Sequence, residues 1–227
     1  MKSLVITIDG PAGAGKTTIS RQLADRMGYR YVDTGALYRG VALCASRAGV
    51  DRGNEQELNT FLEGLNLSLV RGGDGCLRLY AGEQDITAEI RTPAISMAAS
   101  AVAALPAVRS WLLGVQRRLG AEKGVVFEGR DMGSVVFPEA DVKFFLTADL
   151  RVRAERRYEE LPPDSSQKLE DVLMDMQRRD AQDSGRDLAP LVASKDATII
   201  DASALTIDEV LVQMMDCIRE KSGQERK

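Results

Sequence analysis

The chain has 227 residues, 44% hydrophobic and 28% charged, with a net charge of −4 at pH 7. That suffices for one domain, or one with an insertion, of ordinary globular composition. The acidic balance excludes a surface built for nonspecific binding of a nucleic-acid polymer, and the absence of histidine excludes His-based triads, His metal sites and phosphohistidine intermediates. Three widely spaced cysteines, Cys44, Cys76 and Cys217, offer no zinc spacing or disulfide framework and read as reduced thiols. With no apolar run of membrane-spanning length and no signal peptide, the expectation is a cytoplasmic monomer without membrane partners.

Leu4–Ile8 is a run of aliphatic and β-branched residues, as in a strand buried on both faces of a parallel sheet. Gly10-Pro11-Ala12-Gly13-Ala14-Gly15-Lys16-Thr17 then fits G-x-x-x-x-G-K-[ST], with Thr18 next. After it, Ile19, Leu23, Ala24 and Met27 share one helical face. Strand, glycine loop and helix thus come in the order of a phosphate-binding loop, against the alternative of a glycine-rich turn with no ligand. The glycines let the loop curl so that its N–H groups meet phosphate oxygens, and the helix turns its positive end to the same anion. Lys16 can reach the β- and γ-phosphates of ATP, and the Thr17 hydroxyl can ligate Mg²⁺.

Tyr29–Val32 reads as a second strand and Ala36–Ala48 as a helix with Leu37, Val41 and Cys44 or Ala45 inward. Asp51–Asn54 is a turn and Glu55–Leu62 a short helix. Leu65–Val70 and Leu77–Tyr80 alternate with a period of two around Gly72-Gly73-Asp74-Gly75, which predicts a small antiparallel insert over roughly 64–88. Ile90–Ala104 and Val108–Gly120 read as helices, Gly124–Phe127 and Val142–Leu146 as strands. Leu150–Leu161 is a basic helix broken by Pro162-Pro163-Asp164-Ser165-Ser166, and Leu169–Arg179 is helical again. Thr198–Asp201 is a last strand, Ile207–Lys221 a closing helix, and the tail after Ser222 is expected to fray. Five core strands alternating with helices predict an α/β fold of the P-loop NTPase type, a five-stranded parallel sheet flanked by helices, with ligands at the carboxyl ends of the strands.

Polar clusters fall at those ends. Asp33-Thr34-Gly35-Ala36-Leu37-Tyr38-Arg39 brings a carboxylate, a hydroxyl and a guanidinium to one strand-to-helix turn. Capping of the helix by Asp33 or Thr34, with Arg39 in solvent, fits equally well, and capping and ligand contact can coexist. Glu128-Gly129-Arg130-Asp131 follows an apolar strand, as ligand groups or as a buried salt-bridge cluster. Arg153, Arg156 and Arg157 share a helix face, where Glu155, Glu159 and Glu160 offer ordinary surface pairing. The run from Arg178 to Arg186 is either a surface terminus or an arginine clamp.

In these residues the chain resembles the bacterial cytidylate kinases, within the nucleoside monophosphate kinases. The marks are IDGPAGAGKTT (8–18), DTGALYRG (33–40), SAVAALPAVR (100–109), EGRDMGSVVFP (128–138) and RRDAQDSGRDLAPL (178–191), and the resemblance runs from about residue 4 to 217. Ser134 stands where the family more often has Thr, and Glu128 is one of two acidic options. The resemblance implies a single kinase domain over 1–227, with the β insert at 64–88 on the monophosphate side and a helical lid at 152–165. It implies transfer of the γ-phosphate of ATP to CMP or dCMP. It suggests Ser100, Arg109 and Asp131 at the base, Arg39 and Arg130 at the acceptor phosphate with Asp33 and Thr34 beside them, and Asp183 with Arg186 near the ribose. Arg157 and Arg179 would approach the transferring phosphoryl group, with Lys16 and Arg130.

The chemistry of the residues agrees. A carboxylate such as Asp131 suits the N4 amino group of cytosine, and Arg109 and Ser100 can donate to its ring acceptors. A monophosphate acceptor is mostly dianionic near pH 7, with a second pKa of about 6, so no general base is needed. A P-loop kinase for an alcohol would need one, with Asp33 the candidate. A nucleotide switch should carry N-K-x-D, which is absent, and its D-x-x-G occurs only as Asp25-Arg26-Met27-Gly28, in and just after the first helix. Lys16 and Thr17 stand against a catalytically silent phosphate-binding module.

Overall fold

The structure, a computed structural model, describes residues 3–51, 53–72, 77–162 and 165–223. In chain order its elements are β1 (Val5–Asp9), α1 (Lys16–Met27), β2 (Arg30–Asp33), α2 (Thr34–Ala48), α3 (Glu55–Gly64), β3 (Leu67–Arg71), β4 (Leu77–Ala81), β5 (Gln84–Asp85), α4 (Pro93–Val102), α5 (Pro106–Gly120), β6 (Val125–Gly129), β7 (Val142–Thr147), α6 (Leu150–Glu159), α7 (Leu169–Ser184), β8 (Thr198–Asp201) and α8 (Ile207–Lys221). The chain divides into two compact units, Met1–Tyr31 with Glu122–Lys227, and Val32–Ala121.

The main sheet has the order β2-β6-β1-β7-β8. β1 pairs in parallel with both β6 and β7, and β7 with β8, so the expected five-stranded parallel sheet is present. All five residues of β1 are buried, which is why its sequence runs apolar rather than alternating. In the first unit, Leu23 of α1 and Leu211 and Met214 of α8 pack in one core with Ile6, Ile8, Phe144 and Leu146. Full burial of each such side chain is worth about 1.5–3 kcal/mol. A smaller cluster joins Ala154 of α6 to Val172 and Met176 of α7.

The second unit is built on α2, whose Leu37 and Val41 are buried with Val102, Val108 and Leu112 of the α4–α5 region and with Leu67 and Leu79. The predicted antiparallel sheet is there, in the order β3-β4-β5. Leu79 is buried while its neighbour Arg78 is exposed, the period of two read from the sequence. Its third strand, two residues long, carries no pattern of its own and was not expected.

Several boundaries differ from the sequence reading. The helix expected over Ile90–Ala104 is two pieces: a single 3₁₀ turn at Glu89–Arg91, then α4 from Pro93. Proline lacks the N–H a helix needs and disfavours helical geometry in the residue before it. Thr92 is accordingly extended, at ψ 152°, and its Oγ1 caps α4 by accepting from the N–H of Ile95 at 3.2 Å. α7 runs past Arg179 to Ser184, which places Asp180 and Asp183 on a helix instead of in a loop. After β6 the chain makes a π-type turn, Met132–Val136, that no short-range pattern announced. Gly73-Asp74-Gly75 with Cys76, Pro163-Asp164 and residues 224–227 lie outside the described residues. No single helix among the described residues is long and apolar enough to cross a membrane.

Candidate active site

β1 delivers the chain to Gly10 at φ +148°, where a Cβ would stand 1.9 Å from the carbonyl oxygen of Leu146. Only glycine lets the loop leave the strand this closely. α1 starts at Lys16 after Gly15, a left-handed N-cap with no side-chain acceptor to offer, so its positive end is left to the loop. Lys16 is only 4% exposed and its Nζ donates to the carbonyl of Pro11 at 2.6 Å. Burial, reinforced by the guanidinium charge of Arg130, pushes its ammonium down to about 7 against the pull of Glu128. An anion at the loop would restore the charged form.

Thr17 Oγ1 donates to Glu128 Oε1 at 2.8 Å, and Tyr31 OH donates to Glu128 Oε2 at 2.6 Å. Glu128 lies opposite Ile8 in the β1–β6 register, one residue from the end of β6. A threonine hydroxyl and a carboxylate are hard oxygen donors, and a set this small fits Mg²⁺, which keeps waters and shares phosphate oxygens instead of occupying a protein cage. Tyr31 was passed over in the sequence reading, since nothing local announces its reach to a strand 97 residues away.

The last turn of α7 meets the loop after β6. Asp183, 2% exposed, accepts from Arg130 Nε at 2.9 Å through one oxygen and from Arg186 Nη2 through the other. Burial pushes its carboxyl up, but the charges of Arg130, Arg186 and Arg179 outweigh that and hold it below the usual carboxylate range. Because its pKa is depressed on folding, its stabilisation is present above the ordinary aspartate range, about 3.9, and is lost as pH falls through the depressed value. Asp183→Asn should therefore lower stability at neutral pH by about 3 kcal/mol, by leaving guanidiniums without their counter-charge, and should flatten the acid limb. Thermal melts from pH 3 to 7 test this; wild-type and variant curves that run parallel would remove Asp183 from the pH dependence.

The three arginines of α6 separate. Arg153 is buried, with Nε donating to Ala148 O at 2.8 Å, Nη1 to Ala12 O at 3.0 Å and Nη2 to Asp180 Oδ2 at 2.7 Å. It ties α6 to the phosphate loop and to α7, and the shared-face reading missed that. Arg156 donates to Ala202 O at 2.7 Å. Arg157 pairs with Glu160 at 3.0 Å near the exposed end of the helix. Asp180 falls within the Arg178–Arg186 run, and Asp9 is a buried carboxylate to which the sequence reading gave no role. Burial pushes Asp9 up to about 6, although two backbone N–H groups favour its charge.

In the second unit, Asp33 caps α2 by accepting from Ala36 N at 3.1 Å and pairs with Arg39 at 2.8 Å. The cap and the cluster therefore coexist, and Arg39 is not a solvated residue. Thr34 is buried at the start of α2, and Ser100 is buried on α4. Arg109 on α5 reaches back to Ala103 O at 3.2 Å and lies over the Tyr38 ring, 5.9 Å from its centre. Asp131 belongs to the first unit and is buried at the head of the π-type turn.

The sequence profile of the cytidylate kinases matches residues 6–220. The chain is similar to a cytidylate kinase of Geobacter sulfurreducens, 48% identical over 97% of this chain and 94% of the relative. It is also similar to one of Syntrophotalea carbinolica, 45% identical over 97% and 94%. Among solved structures, a shikimate kinase from Bacteroides thetaiotaomicron superposes with a TM-score of 0.50 at 13% identity, over 95% of this chain and 98% of that one. A likeness at that identity speaks for the fold alone.

Proposed function

The chain belongs to the cytidylate kinase family, and we propose that the groups described above divide its reaction between them as follows. The enzyme transfers the γ-phosphate of ATP to CMP or dCMP, giving CDP or dCDP and ADP. The loop Gly10–Thr18 wraps the donor phosphates with backbone N–H groups, and Lys16 sets its charge against the β- and γ-phosphates. Mg²⁺, held by Thr17 with Glu128 behind it, would neutralise phosphate charge there when bound.

Arg39 and Arg130 hold the acceptor phosphate, with Asp33, paired with Arg39, and Thr34 beside them at the substrate. Asp183 and Arg186 meet the ribose. Arg179 and Arg157 bring positive charge to the transferring group. Asp131 accepts from cytosine N4, while Ser100 and Arg109 donate to the ring acceptors. The acceptor is already a dianion near pH 7, so the work is in-line positioning of two anions that repel each other.

The lid is inferred over 152–165. Arg153 and Arg156 hold α6 by hydrogen bonds to Ala148, Ala12, Asp180 and Ala202, so closure belongs to the part after them, which carries Arg157. Free thiols at Cys44 and Cys217 fit a reducing cytoplasm. The observation that carries the reading is Lys16: an ammonium buried at an uncapped helix start, its charge opposed by Arg130, in a place where a polyphosphate would satisfy it. The alcohol-kinase alternative needs Asp33 as a base, and both of its oxygens are already engaged, with Ala36 N and with Arg39.

The test is ADP release from Mg·ATP with CMP, dCMP, UMP, AMP, GMP or no acceptor. Strong stimulation by CMP and dCMP is expected, with little from the others. Stimulation by another monophosphate would keep the fold and overturn the base site, and release indifferent to every acceptor would overturn the whole assignment of roles.

A further inference from the structure

Asp9 closes β1 at 4% exposure. Its Oδ1 accepts from Met132 N at 2.9 Å and its Oδ2 from Gly133 N at 2.7 Å. A carboxylate in this place has two forces against it. Burial opposes its charge, and it lies one residue from a loop built to attract phosphate, which it repels. Two acceptors aimed at consecutive N–H groups are what it supplies in return, and asparagine, with one oxygen and one amino group, cannot supply both.

The Asp131–Met132 peptide is pinned at both ends. Its N–H goes to Asp9, and its carbonyl accepts from Val135 N at 2.9 Å and Val136 N at 3.1 Å. With both polar groups bonded, the peptide plane cannot turn without orphaning one of them, so the ψ of Asp131 is held at 22°. The turn is also closely packed at Gly133. A Cβ on Gly133 would stand 2.9 Å from Thr7 Oγ1 and 3.2 Å from Lys143 Cδ. Asp9 itself runs directly into Gly10.

We propose that Asp9 is a positioning residue for base selection: its carboxylate fixes the peptide that carries Asp131 in register with the phosphate loop. The inference rests on the reading of Asp131 as the group that meets cytosine N4.

The experiment compares Asp9→Asn, Gly133→Ala and Asp131→Asn in the full chain, reading KM for CMP, KM for ATP and the CMP:UMP ratio of kcat/KM. Gly133→Ala disturbs the same turn through its contacts with Thr7 and Lys143 and keeps Asp9, so it decides alone if Asp9→Asn does not fold. Both turn variants should raise KM for CMP and lower the CMP:UMP ratio by about tenfold each, the scale of one buried hydrogen bond, with KM for ATP changed less than about twofold in Gly133→Ala and not raised in Asp9→Asn, which removes a charge that repels phosphate. A turn that merely holds the fold together would change both KM values alike, and that result overturns the proposal. So does an unchanged ratio in the turn variants while Asp131→Asn relaxes it, which leaves the base reading standing. An unchanged ratio in Asp131→Asn overturns the base reading and the proposal with it.

Discussion

Lys16→Ala lowers kcat by roughly 10³-fold or more while the fold survives. The magnitude follows from the reaction. Phosphoryl transfer asks the protein for little covalent chemistry, and single cations placed on the transferring group are worth about 10³–10⁵ in rate. Lys16 is the cation fixed most tightly to the loop, through Pro11 O and the start of α1. Charge on the phosphates redistributes as the γ-phosphoryl leaves, so the loss falls on kcat more than on KM for ATP. Stability should suffer little, because burial and Arg130 already work against the charged form of this side chain. Steady-state ADP release with saturating CMP, together with circular dichroism and a thermal melt, measures both halves. Turnover near the wild-type value in a folded variant would sink the loop assignment. Lys16→Arg is not a rescue, since a planar guanidinium cannot sit as a point charge in a space closed at 4% exposure.

What the sequence made legible is local. The strand–loop–helix unit is spelled out over Leu4–Met27 because each step has its own chemistry: apolar strand, glycines where the loop takes positive φ, lysine and threonine at fixed spacing. The antiparallel insert shows itself by a change of period, and the capping role of Asp33 by its place before α2. The parts that were not legible come from two sources. One is competition between rules inside one segment: the alanine-rich stretch after Ile90 looks helical throughout until Thr92-Pro93 imposes an extended residue and a fresh start. The other is contact between residues distant in sequence. Arg153 looks like part of a solvated arginine face, and only the packing of α6 against α7 and the loop shows it bonded to Ala12 and Asp180. Asp9 stands in the open beside the most recognisable motif in the chain, yet its partners are 123 and 124 residues away. The π-type turn follows from those partners, not from the propensities of Met132–Val136.

Asp131→Asn should collapse the preference for CMP over UMP by roughly 10²-fold or more, mostly through loss of discrimination against uracil. Asp131 is 3% exposed, and an ionised carboxylate only accepts. Cytosine brings it an amino group, whereas uracil brings a carbonyl oxygen and leaves a buried charge facing a second acceptor. Asparagine can turn either end of its amide to the base, accepting from cytosine or donating to uracil, so the penalty on UMP falls while CMP keeps one hydrogen bond. The ratio should not fall to unity. In the proposed site Arg109 donates to the ring acceptors; if one of them is the ring nitrogen that accepts in cytosine and carries a proton in uracil, a donor–donor conflict remains after Asp131 is changed. Arg109→Met in the Asp131→Asn background should remove that second barrier, and kcat/KM for CMP and UMP should then converge. Measured ratios that stay at the wild-type value in Asp131→Asn would move base selection to Ser100 and Arg109 alone. A ratio of one in the single variant would show that the guanidinium of Arg109 does not face the base.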